Sequence, residues 1–278
     1  MTTSTLAGRA FLSVSGADAG PFLQNLITTD LAGLEEGEAA PGALLTPQGK
    51  ILFHFLISRD GHGGFHLETE AASRDNLLKR LTMYRLRAAV DLAALPGDTV
   101  TLTWGEDAPG VIDRRFARAG VSLKRQPGGE GAGDGAYRQL RVAHGIAEAP
   151  DDFALADAFP HDILMDRDGG LSFRKGCYVG QEVVSRMQHR STARRRVVIV
   201  SADGPLPASG TPLTVDGRPI GTLGTVTGAS GLAIARIDKA GEAIGRGTPV
   251  LAGETAVRLA LPAWAGLEFP REAAGDEA

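Results

Sequence analysis

Residues 174–190 read RKGCYVGQEVVSRMQHR and contain the only cysteine of the chain, Cys177. Gly176 and Gly180 flank this cysteine, and glycine permits backbone conformations, or a close approach of a ligand, that other residues do not allow. From Gly180 onward the residues favour a helix with an apolar stripe along one side. The stretch therefore predicts a glycine-rich loop that carries a thiol and leads into a helix.

The predicted place of Cys177 admits two interpretations. The residue lies just before a helix N-terminus, where unpaired N–H groups favour an anion, and Lys175 is two residues away. Both features lower the pKa of a thiol and raise its thiolate fraction, and the same arrangement holds a ligand carboxylate. The alternative is a small apolar residue buried in a turn. Both interpretations stay open, because the spacing of the three histidines does not indicate any of them as a base partner; they are His144, His161 and His189.

Cations are concentrated around the same stretch. From Arg174 to Arg196 the chain has seven Lys and Arg residues and one acid, Glu182. Arg186 and Arg190 share a helix face, and Arg194 to Arg196 are consecutive. One interpretation is a solvated face near a domain boundary. The other is a basic groove for a polyanion, since arginine binds carboxylates and phosphates through two donors at once.

Toward the N-terminus the pattern predicts an α+β region. Residues 42–57 indicate a hairpin whose turn is Thr46-Pro47-Gln48-Gly49, because Pro and Gly provide turn geometry. Residues 73–86 predict a helix, with an apolar stripe and Ser73 as its N-cap. Short strands before and after this helix favour a mostly antiparallel sheet.

After Arg196 the chain consists of short β-type runs separated by Gly, Pro and Asp turns, which predicts a small barrel or sandwich. We expect the domain boundary near residues 191–197. Residues 126–136, QPGGEGAGDGA, indicate an exposed loop, and the final REAAGDEA a solvated tail.

Composition excludes several kinds of site and segment. The 278 residues carry a formal net charge of −4 and contain no apolar run long enough to span a bilayer. The start of the chain lacks the pattern of a signal peptide, so we expect a cytoplasmic location and no membrane partner. One cysteine forms no internal disulfide and cannot supply the thiolates of an iron–sulfur cluster. His62 and His66 are four residues apart, but Gly63 and Gly64 between them indicate a turn and not a helix face, so we expect no metal site.

The run from Lys175 to Glu182, KGCYVGQE, resembles the signature K-G-C-[FY]-x-G-Q-E of the YgfZ-type folate-binding family. This family acts in iron–sulfur cluster assembly in bacteria and has a mitochondrial counterpart. The resemblance continues in residues 13–31, 43–57 and 141–153, so that it covers most of residues 8–196. The β-rich remainder resembles the C-terminal barrel of the family.

The family is related to the T-protein of the glycine cleavage system, an aminomethyltransferase that uses tetrahydrofolate. The resemblance implies an α+β fold: a T-protein-like ring of two α+β lobes with antiparallel sheets, plus a small C-terminal β-barrel, around a channel that binds folate. We expect the folate-binding region in residues 1–196, the barrel in 197–265 and an acidic tail in 266–278.

Two departures from T-proteins argue against aminomethyl transfer. T-proteins carry acids shortly after the hairpin glycine, where this chain has Phe53 and His54. They also carry a pterin-binding glutamate in R-x-E-x-G, where this chain has Ala143, and a methyl group accepts no hydrogen bond. Other acids could replace the lost base, but nothing in the sequence singles one out; they are Asp30, Asp152 and Asp162.

The resemblance therefore implies a folate-binding accessory protein for iron–sulfur cluster assembly or repair, with a tetrahydrofolate-type ligand. Cys177 is the expected functional thiol; it would hold part of a cluster shared transiently with an assembly or client protein. Lys175 is expected to pair with the glutamate tail of folate. The full set of expected folate-binding residues is Lys175, Cys177, Gln181, Glu182 and Arg186.

Two other functions stay open. One is a folate-dependent one-carbon transferase, supported by the relation to T-protein. The other is a tRNA-modification-linked module that binds through Arg194 to Arg196. The negative total charge and the lack of aromatic residues among these arginines argue against nucleic acid.

Overall fold

The computed structural model describes residues 1–105, 109–129, 133–190 and 193–270. Parts of three expected regions therefore lie outside the described residues: the loop at 126–136, the boundary at 191–197 and the tail at 266–278. The chain forms two compact units. The first unit comprises Met1–Tyr137 and Met165–Ser185, and the second comprises Arg138–Leu164 and Arg186–Ala278.

Nine strands of the described residues form one sheet in the first unit, in the order β1-β7-β9-β8-β3-β4-β5-β2-β6. The pair β3 and β8 is parallel, and the other pairs are antiparallel. The strands are β1 (Thr2–Ala7), β2 (Arg9–Ser15), β3 (Glu38–Leu45), β4 (Ile51–Arg59), β5 (Phe65–Glu70), β6 (Asp91–Ala94), β7 (Thr99–Trp104), β8 (Val111–Asp113) and β9 (Leu123–Pro127).

The helices that precede the barrel are mostly short. They are α1 (Ala19–Gln24), α2 (Ala71–Arg85), α3 (Arg114–Arg118), α4 (Gly135–His144), α5 (Met165–Asp168) and α6 (Gln181–His189). Helix α2 confirms the helix predicted over residues 73–86, but its N-cap is Glu70, without a side-chain cap, so the prediction of Ser73 as N-cap is wrong. Within the described ranges, no helix combines the length and apolar character needed to cross a membrane.

The predicted hairpin is formed by β3 and β4. At its tip the Gly49 N–H donates to the backbone oxygen of Thr46 over 2.9 Å. The Thr46 N–H donates to the backbone oxygen of Lys50 over 2.8 Å. Gly49 has a φ of +79°, which glycine adopts without strain. Behind this hairpin, Leu77 and Leu81 of α2 are buried in an apolar core formed with the sheet.

The second unit contains a closed barrel in the order β10-β13-β12-β11-β14-β15, with β15 paired to β10. An α+β fold with a C-terminal barrel, as predicted, is confirmed. The sequence did not indicate α7 (Ile237–Arg246), which lies between β13 and β14. The strands are β10 (Arg195–Ser201), β11 (Pro212–Val215), β12 (Arg218–Thr227), β13 (Ser230–Arg236), β14 (Val250–Ala252) and β15 (Thr255–Ala260).

Candidate functional site

The candidate site is the loop between α5 and α6, which we call the Cys177 loop (residues 171–180). Its start is fixed to the first unit, because the Ser172 N–H donates to the Thr28 oxygen over 3.0 Å. The middle of the loop is closed by the Tyr178 hydroxyl, which donates to the backbone oxygen of Ser172 over 3.1 Å. The Ser172 hydroxyl oxygen also accepts the N–H of Lys175 over 3.3 Å. The loop is therefore ordered by its own hydrogen bonds.

The Lys175 side chain anchors the Cys177 loop to the backbone of the first unit. Its Nζ donates to the backbone oxygens of Ile27, over 2.8 Å, and Thr29, over 2.7 Å. The side chain is buried, and this burial lowers the pKa of Lys175 to about 8, against a smaller opposing effect of Asp30. The Nζ also lies 5.4 Å from the centre of the Tyr178 ring. Because the ammonium already holds two carbonyls, its pairing with a folate tail stays a prediction.

Gly180 fixes the start of α6 against the hairpin. Its φ is +81°, and a Cβ at this position would lie 2.5 Å from the backbone oxygen of Thr46. On the other side of the same contact, a Cβ on Gly49 would lie 3.0 Å from the Cβ of Val183. Two glycines therefore allow the helix start and the hairpin turn to pack closely.

Cys177 lies four residues before the first residue of α6, and its side chain is exposed. The interpretation of a buried, small apolar residue is therefore wrong. The three histidines considered as base partners, His144, His161 and His189, all belong to the second unit. His161 is buried, with its Nε2 3.3 Å from the Oε1 of Gln188.

Helix α6 carries the remaining predicted site residues. Gln181 and Glu182 lie in its first turn, and Arg186 follows one turn after Glu182 on the same face. Gln181 is half-buried, whereas Glu182 and Arg186 are exposed. Arg186 is assigned to the second unit and the other predicted site residues to the first. The helix thus presents an amide, a carboxylate and a guanidinium along its length.

The positions that carry acids in T-proteins have other roles in this chain. Phe53 is buried in the core of the first unit. His54 is half-buried on the opposite side of β4, and its backbone oxygen accepts the Thr69 hydroxyl over 3.0 Å. Neither residue offers a carboxylate.

Asp152, one of three acids considered as a substitute base, is held by Arg141. The Nη1 of Arg141 donates to Oδ2 of Asp152 over 2.6 Å, and the Glu148 N–H donates to the same oxygen over 2.8 Å. Oδ1 accepts the Thr225 N–H over 2.8 Å. Ala143, at the place of the pterin-binding glutamate, is exposed. The Asp152 carboxylate therefore organises the second unit.

The other two acids stabilise short turns. Oδ1 of Asp30 accepts the N–H of Ala32 over 3.2 Å and the amide of Gln24 over 2.9 Å. Oδ2 of Asp162 accepts the Phe159 N–H over 3.1 Å. These contacts give each acid a structural role and provide no support for a base.

The three consecutive arginines do not form a single basic face. Arg196 is buried, and its Nη1 donates to the backbone oxygen of His161 over 2.7 Å. Arg195 is exposed, with its Nη1 4.0 Å from an oxygen of Asp157. The prediction that Arg196 lines a basic groove is therefore wrong, because packing of the second unit uses its side chain.

Sequence reasoning missed the backbone partners of the Cys177 loop. The oxygens of Ile27 and Thr29 accept Lys175 across more than 140 positions of chain. Backbone carbonyls leave no signal in residue identity, so only the fold could reveal them. In the part of the chain that the structure describes, no group of three or more His, Cys, Asp and Glu side chains is placed to hold a metal ion.

Known proteins are similar to this chain both in the barrel region and over most of its length. A family profile described as the CAF17, C-terminal beta-barrel domain matches residues 194–267. The iron-sulfur cluster assembly factor IBA57, mitochondrial, of Mus musculus is 31% identical and aligns over 84% of the chain and 77% of its own length. The Homo sapiens protein of the same name is 32% identical over 82% of the chain and 76% of its own length.

The chain belongs to the IBA57 family of iron–sulfur cluster assembly factors. A Chaetomium globosum homologue is 32% identical over 69% of the chain, which spans 54% of that relative's length. A crystal structure of the glycine cleavage system aminomethyltransferase T from Bartonella henselae superposes with a TM-score of 0.69. That likeness covers 94% of this chain and 85% of the other at 16% identity, so it shows the fold alone.

The family assignment corrects the expected location. These IBA57 relatives are named mitochondrial, which contradicts the cytoplasmic expectation. That expectation relied on the absence of a signal-peptide pattern and of a long apolar run, and neither criterion separates these compartments. The YgfZ-type assignment and its folate ligand stay predictions, since the names of these relatives mention no folate.

Proposed function

We propose that this chain acts in iron–sulfur cluster assembly, with Cys177 as the residue that binds the cluster as cargo. Family membership supports the assembly role, and the placement of Cys177 supports its part in it. The thiol is exposed on a loop that buried Lys175 and close-packed Gly180 hold in place. An exposed thiol on an ordered loop is suited to meet a cluster carried by another molecule.

The chemical step is an exchange of ligands on iron. The Cys177 thiol loses its proton, and its sulfur forms a bond to an iron of the incoming cluster. The bond from that iron to a thiolate of the carrier breaks, and the released thiolate takes up a proton. No electron is transferred, so the step requires no oxidant or reductant.

The remaining ligands come from another molecule. The chain has one cysteine, whereas cluster irons are commonly held by four thiolates. A partner protein, a second copy of the chain or small thiols supply the other positions. The protein therefore acts as a temporary holder that shares the cluster.

Reconstitution tests this part of the proposal. Purified protein is incubated without oxygen with ferric iron, sulfide and glutathione, then desalted, and bound iron and visible absorption are measured. Wild type should retain a cluster chromophore and Cys177→Ser should not, while Gly176→Ala, an exposed neighbour with open space around it, should match wild type. Equal iron and sulfide binding by Cys177→Ser would falsify the role of the thiol.

The second part of the proposal is that a reduced folate binds beside the Cys177 loop. The side chains fit the chemistry of such a ligand: Gln181 and Glu182 offer an amide and a carboxylate for pterin N–H groups, and the Arg186 guanidinium suits a carboxylate tail. When bound, a tetrahydrofolate would supply one-carbon or reducing chemistry. Gln181, Glu182 and Arg186 of α6 would hold and orient this ligand.

Fluorescence titration separates this part from the first. Tetrahydrofolate and formyl-tetrahydrofolate are each added to wild type and to Arg186→Ala, Glu182→Ala and Lys175→Ala. We expect saturable binding, and Arg186→Ala and Glu182→Ala should weaken it. Lys175→Ala tests the predicted pairing of this lysine with the folate tail. Arg190→Ala, on the same stretch, is the matched control. No saturable binding by wild type removes the folate proposal and leaves cluster binding standing.

A further inference from the structure

The C-terminal end of α2 exposes two large apolar side chains. Met83 is 67% exposed and Leu86 is 88% exposed. Both lie away from Leu77 and Leu81, which are fully buried on the other side of the helix. These apolar groups therefore do not contribute to the core of the first unit.

The backbone at Leu86 is strained. Its φ of 46° and ψ of −105° lie in a region that residues with a Cβ rarely adopt. The following turn is closed by the Ala88 N–H, which donates to the Arg85 oxygen over 2.8 Å. Folding gains little from a strained leucine that points into water, so its position is better explained by an interaction outside the chain.

Cations surround these two side chains. Residues 76–90 contain four Lys and Arg residues and no acid, in a chain whose net charge is −4. In the described part of the chain, Lys79, Arg80 and Arg87 form no ion pair. The guanidinium of Arg85 donates to the Val90 oxygen over 3.4 Å.

The acids close to this run are fewer than its four cations. Asp75 pairs with Arg74 over 3.1 Å, and Oδ2 of Asp18 accepts the Ala89 N–H over 2.8 Å. Asp91 follows the run and is exposed. The surface thus combines protruding apolar groups with an excess of positive charge.

We infer that this surface, the α2 ridge (Lys79, Arg80, Met83, Leu86 and Arg87), binds anionic lipid headgroups and inserts Leu86 and Met83 among them. Cations are attracted to anionic membrane surfaces, and exposed apolar side chains enter the region between headgroups and acyl chains. The expectation of no membrane partner relied on spanning segments, whereas this association is peripheral.

Size favours a lipid surface over a protein partner. A stable protein interface buries roughly 800 Å² on each partner and uses 20 or more residues. The ridge offers two exposed apolar side chains at a helix end. A membrane accepts such protrusions without a matching pocket, and its charge is spread over many headgroups.

Vesicle sedimentation of the full chain tests the inference. Vesicles of phosphatidylcholine alone are compared with vesicles that contain about one-third phosphatidylglycerol, at low and high salt. We expect wild type to bind the anionic vesicles at low salt, with about fivefold weaker partitioning for each ridge cation changed to Gln. The double change Met83→Ser and Leu86→Ser should weaken it about tenfold or more.

The second unit provides matched controls. Ile244→Ser removes an apolar side chain that is 50% exposed, and Arg218→Gln removes an exposed cation. Both controls should bind vesicles as wild type does, and circular dichroism should show that all variants are folded. Two results would overturn the inference: wild type that stays in solution with anionic vesicles, or ridge variants that bind as well as wild type.

Discussion

Lys175 has exchanged solvent for two backbone carbonyls, and this exchange explains both its position and its pKa. Its side chain is buried, and its Nζ donates to the oxygens of Ile27 and Thr29. Burial disfavours the charged form and lowers its pKa to about 8. The lysine that the signature places beside Cys177 therefore holds the Cys177 loop on the fold.

We predict that Lys175→Met loosens this loop. Methionine keeps much of the volume but donates no hydrogen bond, so the two carbonyls lose their partner at a cost of about 1–3 kcal/mol in the free energy of unfolding. Hydrogen exchange of residues 171–180 and alkylation of Cys177 should both become faster. Lys79→Met, at an exposed position, serves as control. Unchanged exchange and alkylation rates would contradict the anchoring role.

Asp168 is a buried acid that the sequence did not mark. Its Oδ1 accepts the Gly170 N–H over 2.8 Å. Burial raises the pKa of Asp168 to about 7, and nearby Asp166 and Asp113 act in the same direction, whereas the Gly170 hydrogen bond and Arg115 oppose it. Because this pKa is higher in the folded than in the unfolded chain, its contribution to stability is present at low pH and is lost as pH rises through 7.

We therefore predict a pH-dependent effect of Asp168→Asn. Asparagine keeps the acceptor for Gly170 and carries no charge, so the variant should gain stability relative to wild type between pH 5 and pH 8, by about 2–3 kcal/mol. Urea unfolding at the two pH values measures this difference. The exposed Asp91→Asn should show no such trend. A difference that does not change with pH would exclude the proposed titration.

At the scale of elements, the contact between α6 and the hairpin of β3 and β4 positions the Cys177 loop. Gly180 permits this contact through its φ of +81° and its missing Cβ. Gly176, four residues earlier, has open space around it. The two glycines of the signature therefore have different roles, which their identity alone does not reveal.

We predict that Gly180→Ala lowers the free energy of unfolding by about 2 kcal/mol or more, while Gly176→Ala changes it little. The alanine Cβ would overlap the Thr46 oxygen at 2.5 Å, and the positive φ adds about 1 kcal/mol of strain. Thermal or urea unfolding of both variants provides the comparison. Equal stability of Gly180→Ala and Gly176→Ala would show that the contact is not required.

Local patterns predicted elements whose geometry depends on near neighbours. The hairpin around residues 46–49 and helix α2 were predictable, because turn residues and apolar spacing act over a few positions. Helix α7 was missed, because its glycines Gly241 and Gly245 suggest turns and its apolar side depends on packing in the barrel. The cap of α2 was misplaced, since Glu70 caps without its side chain.

For the whole molecule, the α+β fold with a barrel followed from resemblance together with the change of pattern after Arg196. The site followed only in part. Residue types could indicate Cys177 and its glycines, but not the burial of Lys175 and Arg196, because burial depends on contacts between distant segments. The α2 ridge was not predicted for the same reason, since the exposure of Leu86 depends on how the helix packs.

The most direct test of the central claim is the activity of a cluster-dependent enzyme in cells. Cells without their own copy of this protein receive wild type, Cys177→Ala or Gly176→Ala at equal protein levels, and aconitase activity is measured. We predict that wild type and Gly176→Ala restore activity, and that Cys177→Ala leaves it at the level of cells without the protein. Full aconitase activity with Cys177→Ala would contradict the role of this thiol in cluster assembly.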